Sequence, residues 1–238
     1  MNTDTCPGPE SRRRPTPGGS HDLRLVISEG RKSMEREGDG PAAERALCAA
    51  LAADVDQAFE SLVRHFQDRL FGFALRLTGR REDAEEVAQD AFVRAYRALK
   101  TYPPERRREM ALKAWLYRIA LNVARNRVRR KRRPTVSLDD EAGQTAAARH
   151  AHDDPAGRPD ARFELKRQRA DIASLVAELP ERYRAPLILR YVEGLKLEEV
   201  AGILKQPVGT TKSNVHRAIN ALREALTDSR REVRGARA

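Results

Sequence analysis

The stretch Leu195–Leu226, LKLEEVAGILKQPVGTTKSNVHRAINALREAL, decides the fold. Val200, Ala201, Ile203 and Leu204 give a short first helix its inner face, and the small Ala201 lets a second helix approach closely. Lys205-Gln206-Pro207 forms the turn, and Gly209-Thr210 precedes the second helix. There Val215, Ala218, Ile219 and Leu222 recur at helical spacing and form a buried stripe. Thr211, Lys212, Ser213, Asn214, His216 and Arg217 fall on the other side, nearly all with hydrogen-bonding side chains. This is the pattern of a helix-turn-helix, whose second helix puts its first turns against base edges and phosphates in the major groove. Lys212 and Arg217 suit phosphate or guanine, and Asn214 can pair bidentately with adenine. An ordinary surface hairpin with a polar face is the competing reading, disfavoured by the spacing, the turn and the local charge.

Outward from this stretch the chain reads as helix throughout. A helix is expected from about Arg162 to Leu179; Pro180 breaks it and starts the next, Glu181–Glu193, which Gly194 caps. Residues 134–160, rich in Pro, Gly, Asp and Ala, read as an acidic interdomain linker. Before them, Phe59, Leu62, Val63, Phe66, Leu70, Phe73, Ala74 and Leu77 mark one helix, ended by Thr78-Gly79. A second starts near Glu82 and buries Ala84, Val87, Ala88, Ala91, Phe92, Ala95, Tyr96 and Leu99; Tyr102-Pro103-Pro104 stops it. After an Arg-rich loop, a third runs from about Ala111 to Arg130 on Leu112, Trp115, Leu116, Ile119, Ala120 and Val123. With no strand alternation, the expected fold is all-α: two small helical domains, 53–133 and 161–228, joined by a flexible linker. Residues 1–52 read as a disordered extension and 229–238 as a disordered basic tail. Met34 offers an alternative translation start, since no folding periodicity precedes it.

Charge is unevenly placed in a chain of net +11. Residues 51–133 carry twenty basic against eleven acidic side chains, and residues 161–238 sixteen against ten. The segment between them holds two against six. Both helical modules therefore suit a polyanion. No apolar run is long enough to cross a membrane and no secretory signal is visible, so membrane insertion is not expected and the cytoplasm is. Cys6 and Cys48 sit outside the helical modules and give no disulfide or metal spacing. His150, His152, Asp153 and Asp154 lie in the linker and read as solvated side chains rather than a metal site. No phosphate loop, activated nucleophile or paired catalytic carboxylates stand out, so neither catalytic residue nor cofactor is expected.

The third helix ends in a collar of cations, Arg125, Arg127, Arg129, Arg130, Lys131, Arg132 and Arg133, which also complement the helix dipole. With Trp115, Tyr117, Arg118, Asn122 and Asn126 just before it, the helix offers aromatic faces and amides beside a cationic track. That combination suits unstacked single-stranded bases. A lone Trp at this spacing is more often a core residue than a stacking platform.

Asp83–Phe92 (DAEEVAQDAF) and Ala114–Asn122 (AWLYRIALN) resemble region 2 of the extracytoplasmic-function (ECF) sigma factors. Leu179–Arg184 (LPERYR), Leu189–Gly194 (LRYVEG) and Pro207–Ser213 (PVGTTKS) resemble region 4 of the same family, in the family's order and spacing. The resemblance implies a promoter-specificity subunit of bacterial RNA polymerase. It implies that Asp83, Glu86, Gln89 and Asp90 face the β′ clamp helices of core polymerase. Trp115, Arg118, Asn122, Arg125, Asn126, Arg129 and Arg130 would serve the −10 element, where bases are flipped from the melted strand. Thr210, Thr211, Lys212, Ser213, Asn214, His216 and Arg217 would read the −35 element as duplex, with nearby surfaces meeting the β flap. The acidic linker would thread toward the RNA path, and an anti-sigma factor is an implied partner. Tyr102–Met110 is longer than the family's usual promoter-reading loop. Leu112 stands where an aromatic is common and Asn214 where a basic residue is common, which bears on the bases read. A regulator binding duplex operators alone is the rival reading; it leaves the Asp83–Phe92 helix without a task.

Overall fold

The structure is a computed structural model that describes residues 40–132 and 172–235. The expected 1–39 part of the N-terminal extension, Met34, the acidic linker with its His-Asp cluster, Arg133 and the start of the helix from Arg162 lie outside the described residues. Among the described residues every regular element is helical.

Five helices build the N-terminal domain: α1 Pro41–Ala53, α2 Val55–Thr78, α3 Arg81–Thr101, α4 Pro104–Glu109 and α5 Leu112–Arg132. Helix α2 starts where the Asp54 carboxylate accepts from the backbone N–H groups of Asp56 and Gln57, at 2.8 and 3.2 Å. It ends at Gly79, whose φ of 73° is the left-handed cap that glycine adopts without strain. Leu62, Phe66, Leu70 and Phe73 are wholly buried on its inner stripe. Tyr96 Oη and Lys100 Nζ both donate to Asp56, at 2.6 and 2.8 Å, and tie α3 to the start of α2.

Over residues 41–52, helix α1 corrects the expectation of a disordered extension. Proline at the first position of a helix costs no hydrogen bond, and Pro41 opens this one. Cys48, Leu51 and Ala52 enter the core from α1. Cys48 is therefore a buried thiol that donates to the Met110 carbonyl at 3.6 Å, not an isolated residue outside the modules. The loop Tyr102–Met110 is likewise helical in its middle, again opened by a proline.

The C-terminal domain contains α6 (172–178), α7 Glu181–Leu187, α8 Leu197–Leu204 and α9 Val208–Gly235. Helix α7 runs into a widened π-type turn, Ile188–Val192, in which Glu193 N donates to Ile188 O at 3.0 Å. Gly194, with a φ of 70°, turns the chain out of it. Glu199 Oε2 caps α8 by accepting from Lys196 N at 2.6 Å. Lys205, at φ 54°, closes α8 in the left-handed region, and α9 begins at Val208, so Gly209 and Thr210 lie in its first turn. Helix α9 continues to Gly235, through much of the expected tail. Residues 228–234 hold no proline or glycine, and an established helix extends at little cost.

The two domains share a core. Leu77, Leu116, Tyr117, Leu121 and Ala124 belong to one buried cluster with Ala185, Ile188, Leu189, Leu195, Val200 and Ile203. A second small cluster, Leu179, Leu187, Ala218 and Leu222, lies inside the C-terminal domain.

Candidate nucleic-acid interface

Helix α5 presents the N-terminal candidates. Asn122, Arg118, Arg129 and Arg130 are exposed, whereas Trp115, Arg125 and Asn126 are half-buried. Trp115 is neither plain core nor free platform: it walls a cleft of about 250 Å³ between α3 and α5, with Arg94, Ala98, Tyr102, Ile119 and Asn122. Tyr102 packs edge-on against Trp115, with ring centroids 6.0 Å apart. The Arg106 guanidinium from α4 lies 3.7 Å from the centroid of the Tyr102 ring. Aromatic walls with a guanidinium and an amide form a slot for a planar, hydrogen-bonding group beside a cationic surface. Arg94, Tyr102 and Arg106 were not singled out from the sequence. Tyr102-Pro103-Pro104 read only as a helix stop, and Arg94 is separated from Trp115 by a whole helix.

Two of the candidates are already paired with the C-terminal domain. Arg118 Nη2 donates to the Gly202 carbonyl at 2.6 Å, and Arg125 Nε to Glu181 Oε1 at 2.7 Å. Both acceptors belong to the C-terminal domain. Asn126 Oδ1 accepts from Arg129 at 3.3 Å on the same helix.

The acidic candidates on α3 divide into two kinds. Asp83, expected to face outward, is buried, and its Oδ1 accepts from Arg127 Nε at 2.6 Å. Arg127 also pairs with Glu86. Asp83 thus anchors α5 on α3, because a carboxylate taken out of water needs a cation beside it. Glu86, Gln89 and Asp90 remain exposed. Val93 joins them, 43% exposed, one turn further along α3. Its position is out of register with the buried Val87, Ala91 and Ala95, the signal by which the sequence could have revealed it.

In the helix-turn-helix, Thr210, Lys212, Ser213, His216 and Arg217 are exposed and Asn214 is half-buried. Thr211 is not on that face. Its side chain is fully buried; the hydroxyl donates to Pro207 O at 3.2 Å and accepts from Gln206 Nε2 at 2.9 Å. It locks the turn and does not reach outward. The His216 ring meets the Asn220 amide at 3.2 Å on the same helix. Lys212 and Arg217 leave two cations on the outer surface, as phosphate contact requires.

Comparison with known proteins follows the same division. Residues 62–134 match the model of sigma-70 region 2, and residues 169–222 that of sigma-70 region 4. The RNA polymerase sigma-H factor of Pseudomonas aeruginosa is 35% identical over 179 residues, covering 74% of this chain and 90% of that protein. The ECF RNA polymerase sigma factor SigW of Bacillus subtilis is 34% identical over 174 residues, covering 72% and 90%. Among solved structures, CnrH in complex with the cytosolic domain of CnrY aligns with a TM-score of 0.53 at 27% identity, covering 78% of this chain and 97% of that one. The sigma factor RpoE of Bartonella quintana, in complex with the anti-sigma factor NepR, aligns with a TM-score of 0.52 at 25% identity, covering 71% and 96%. No described helix is long and apolar enough to cross a membrane. The chain belongs to the ECF group of the sigma-70 family, non-enzymatic factors that direct core RNA polymerase to promoters through region 2 at the −10 element and region 4 at the −35 element.

Proposed function

We propose that the cleft between α3 and α5 receives a base flipped out of the −10 element. The observation that carries this reading is its lining, in which the aromatic side chains of Trp115 and Tyr102 stand with the hydrogen-bond donors Asn122 and Arg94. Stacking on such rings is worth about 1–3 kcal/mol per base, enough to offset an unstacking cost of a few kcal/mol. Arg118, Arg125, Arg129 and Arg130 then follow the single-stranded backbone. Glu86, Gln89 and Asp90, with Val93 as apolar contact, dock on the β′ clamp helices, and the C-terminal domain meets the β flap. Lys212, Ser213, Asn214, His216, Arg217 and Thr210 meet the −35 duplex. The factor works in the cytoplasm, and an anti-sigma protein is its natural antagonist, a reading supported by the relative solved with the anti-sigma factor NepR.

The test is run-off transcription with purified chain, core polymerase and a promoter from upstream of its own gene. Transcript is expected only with both proteins present, and Asn122→Ala should lower it at least tenfold. An Asn122→Ala chain that transcribes like the native one sinks the base-pocket assignment.

A further inference from the structure

We propose that Lys205, at the corner of the helix-turn-helix, is a phosphate contact to the −35 duplex, held there at a cost to the fold itself.

Lys205 closes α8 with φ 54° and ψ 48°. Among the described residues it is the one non-glycine residue with positive φ; Gly79 and Gly194 are the others in that region. The left-handed conformation crowds a Cβ against the following carbonyl oxygen, so helix ends of this kind are usually given to glycine. The backbone here does need the left-handed turn. Lys205 N donates to Gly202 O at 3.4 Å and Gln206 N to Ala201 O at 3.1 Å, which satisfies the last carbonyls of α8. Glycine would make both bonds without strain, so the turn gives no reason for a lysine side chain.

Packing gives none either. Lys205 is exposed, and its ammonium has no hydrogen-bond or ion-pair partner among the described residues. The last turn of α8 holds no other cation, and a positive charge there complements the helix dipole. That attraction is open to a cation anywhere in the last turn and does not call for a left-handed residue. Strain of this kind persists where a side chain is required at one place for a purpose outside the fold.

The place adjoins the recognition helix. Thr211 accepts from Gln206 Nε2 at 2.9 Å and donates to Pro207 O at 3.2 Å, which fixes the corner against the first turn of α9. Pro207, Val208, Gly209 and Thr210 continue the exposed surface from Lys205 to Lys212. The stretch 205–217, KQPVGTTKSNVHR, holds three cations, Lys205, Lys212 and Arg217, and no carboxylate to neutralise them. With the start of α9 in the major groove, the turn before it lies along the bordering phosphates. An ammonium on a flexible four-carbon stem suits such a contact, because it acts as a point charge with no fixed approach.

The proposal rests on the placement of α9 in the −35 duplex, and the test separates the two. Holoenzyme assembled from the full-length chain and core polymerase is bound to the promoter from upstream of its own gene, over a range of salt. Lys205→Gly should weaken binding about fivefold at low salt and lower the slope of log affinity against log salt by about 1. Its melting temperature should not fall, because glycine takes the left-handed conformation freely. Lys205→Arg keeps the charge in the same corner and should retain the native slope. Neutral methylphosphonates are then placed one at a time along the −35 element. One of them should weaken the native holoenzyme and leave Lys205→Gly unaffected. A Lys205→Gly chain with the native slope, or with the native response to every methylphosphonate, overturns the contact. A fall in its melting temperature overturns it too, by making Lys205 a cap of the turn. Lys212→Ala tells these failures from a wrong placement of α9: its own effect on the slope survives the first and is lost in the second.

Discussion

The Tyr117 hydroxyl and the Glu193 carboxylate meet across the domain boundary, both side chains buried and 76 residues apart in sequence. Burial raises the Glu193 carboxyl above its ordinary value of 4.5, against the opposing pull of the Tyr117 hydroxyl, Arg76, Lys113 and Arg69. Burial, then the Glu193 charge, pushes the Tyr117 hydroxyl well above its usual range. An acid raised by burial at the interdomain contact stabilises that contact most below its ordinary value, and the contribution is lost as pH rises through the raised value. With a fluorescent donor and acceptor on Gln67→Cys and Glu224→Cys in a Cys6→Ser chain, energy transfer between the domains should therefore increase as pH falls from 7 toward 5. Glu193→Gln, which still accepts from Tyr117 but cannot ionise, should keep the domains packed with a flat profile. A native profile as flat as that of the Gln variant would remove Glu193 as the titrating group.

Two neighbouring acids on α3 should separate stability from docking. Asp83→Ala leaves Arg127 without its enclosed partner and should destabilise the fold by about 2 kcal/mol. That is less than for a fully enclosed pair, because Arg127 keeps 29% side-chain exposure. The expected fall in melting temperature is about 5 °C or more. Asp90→Arg, on the exposed part of the helix, should leave the melting temperature unchanged and weaken core polymerase binding at least tenfold. Thermal melts and polymerase titrations on both variants decide it: an Asp83→Ala chain that melts normally contradicts the anchoring role.

The difference between those acids shows what was readable from sequence. Helical periodicity located α2, α3 and α5 because Leu62, Phe66, Leu70 and their counterparts repeat at the spacing one buried face demands. Helix α1 escaped because its Ala-rich PAAERALCAALAA follows a Gly-Pro that resembles a break, although proline equally opens helices. Asp83 looked like Asp90 because charge type does not reveal which carboxylate will find Arg127, 44 residues away. The cleft needed Arg94 and Tyr102 from one helix beside Trp115 and Asn122 from another, a juxtaposition that exists only after α3 and α5 pack. The Tyr117–Glu193 contact is less legible still, since it depends on how two domains pack on each other.

Thr211 and Lys212 are adjacent in the recognition helix and should respond to mutation in opposite ways. Thr211→Val keeps the buried volume but removes the hydroxyl that donates to Pro207 O and accepts from Gln206 Nε2. Each lost hydrogen bond costs about 1 kcal/mol, so the C-terminal domain should be destabilised by about 1–2 kcal/mol. Affinity for the −35 duplex, measured well below the melting transition with the polymerase holoenzyme, should change little, and its salt dependence should not change. Lys212 is exposed, and Lys212→Ala should leave stability within about 0.5 kcal/mol. Removing a phosphate contact should weaken binding to all sequences alike and lower the salt slope by about 1. If Thr211→Val instead altered base preference at the −35 element with stability intact, its hydroxyl would have to leave the turn and reach the groove, contrary to its complete burial.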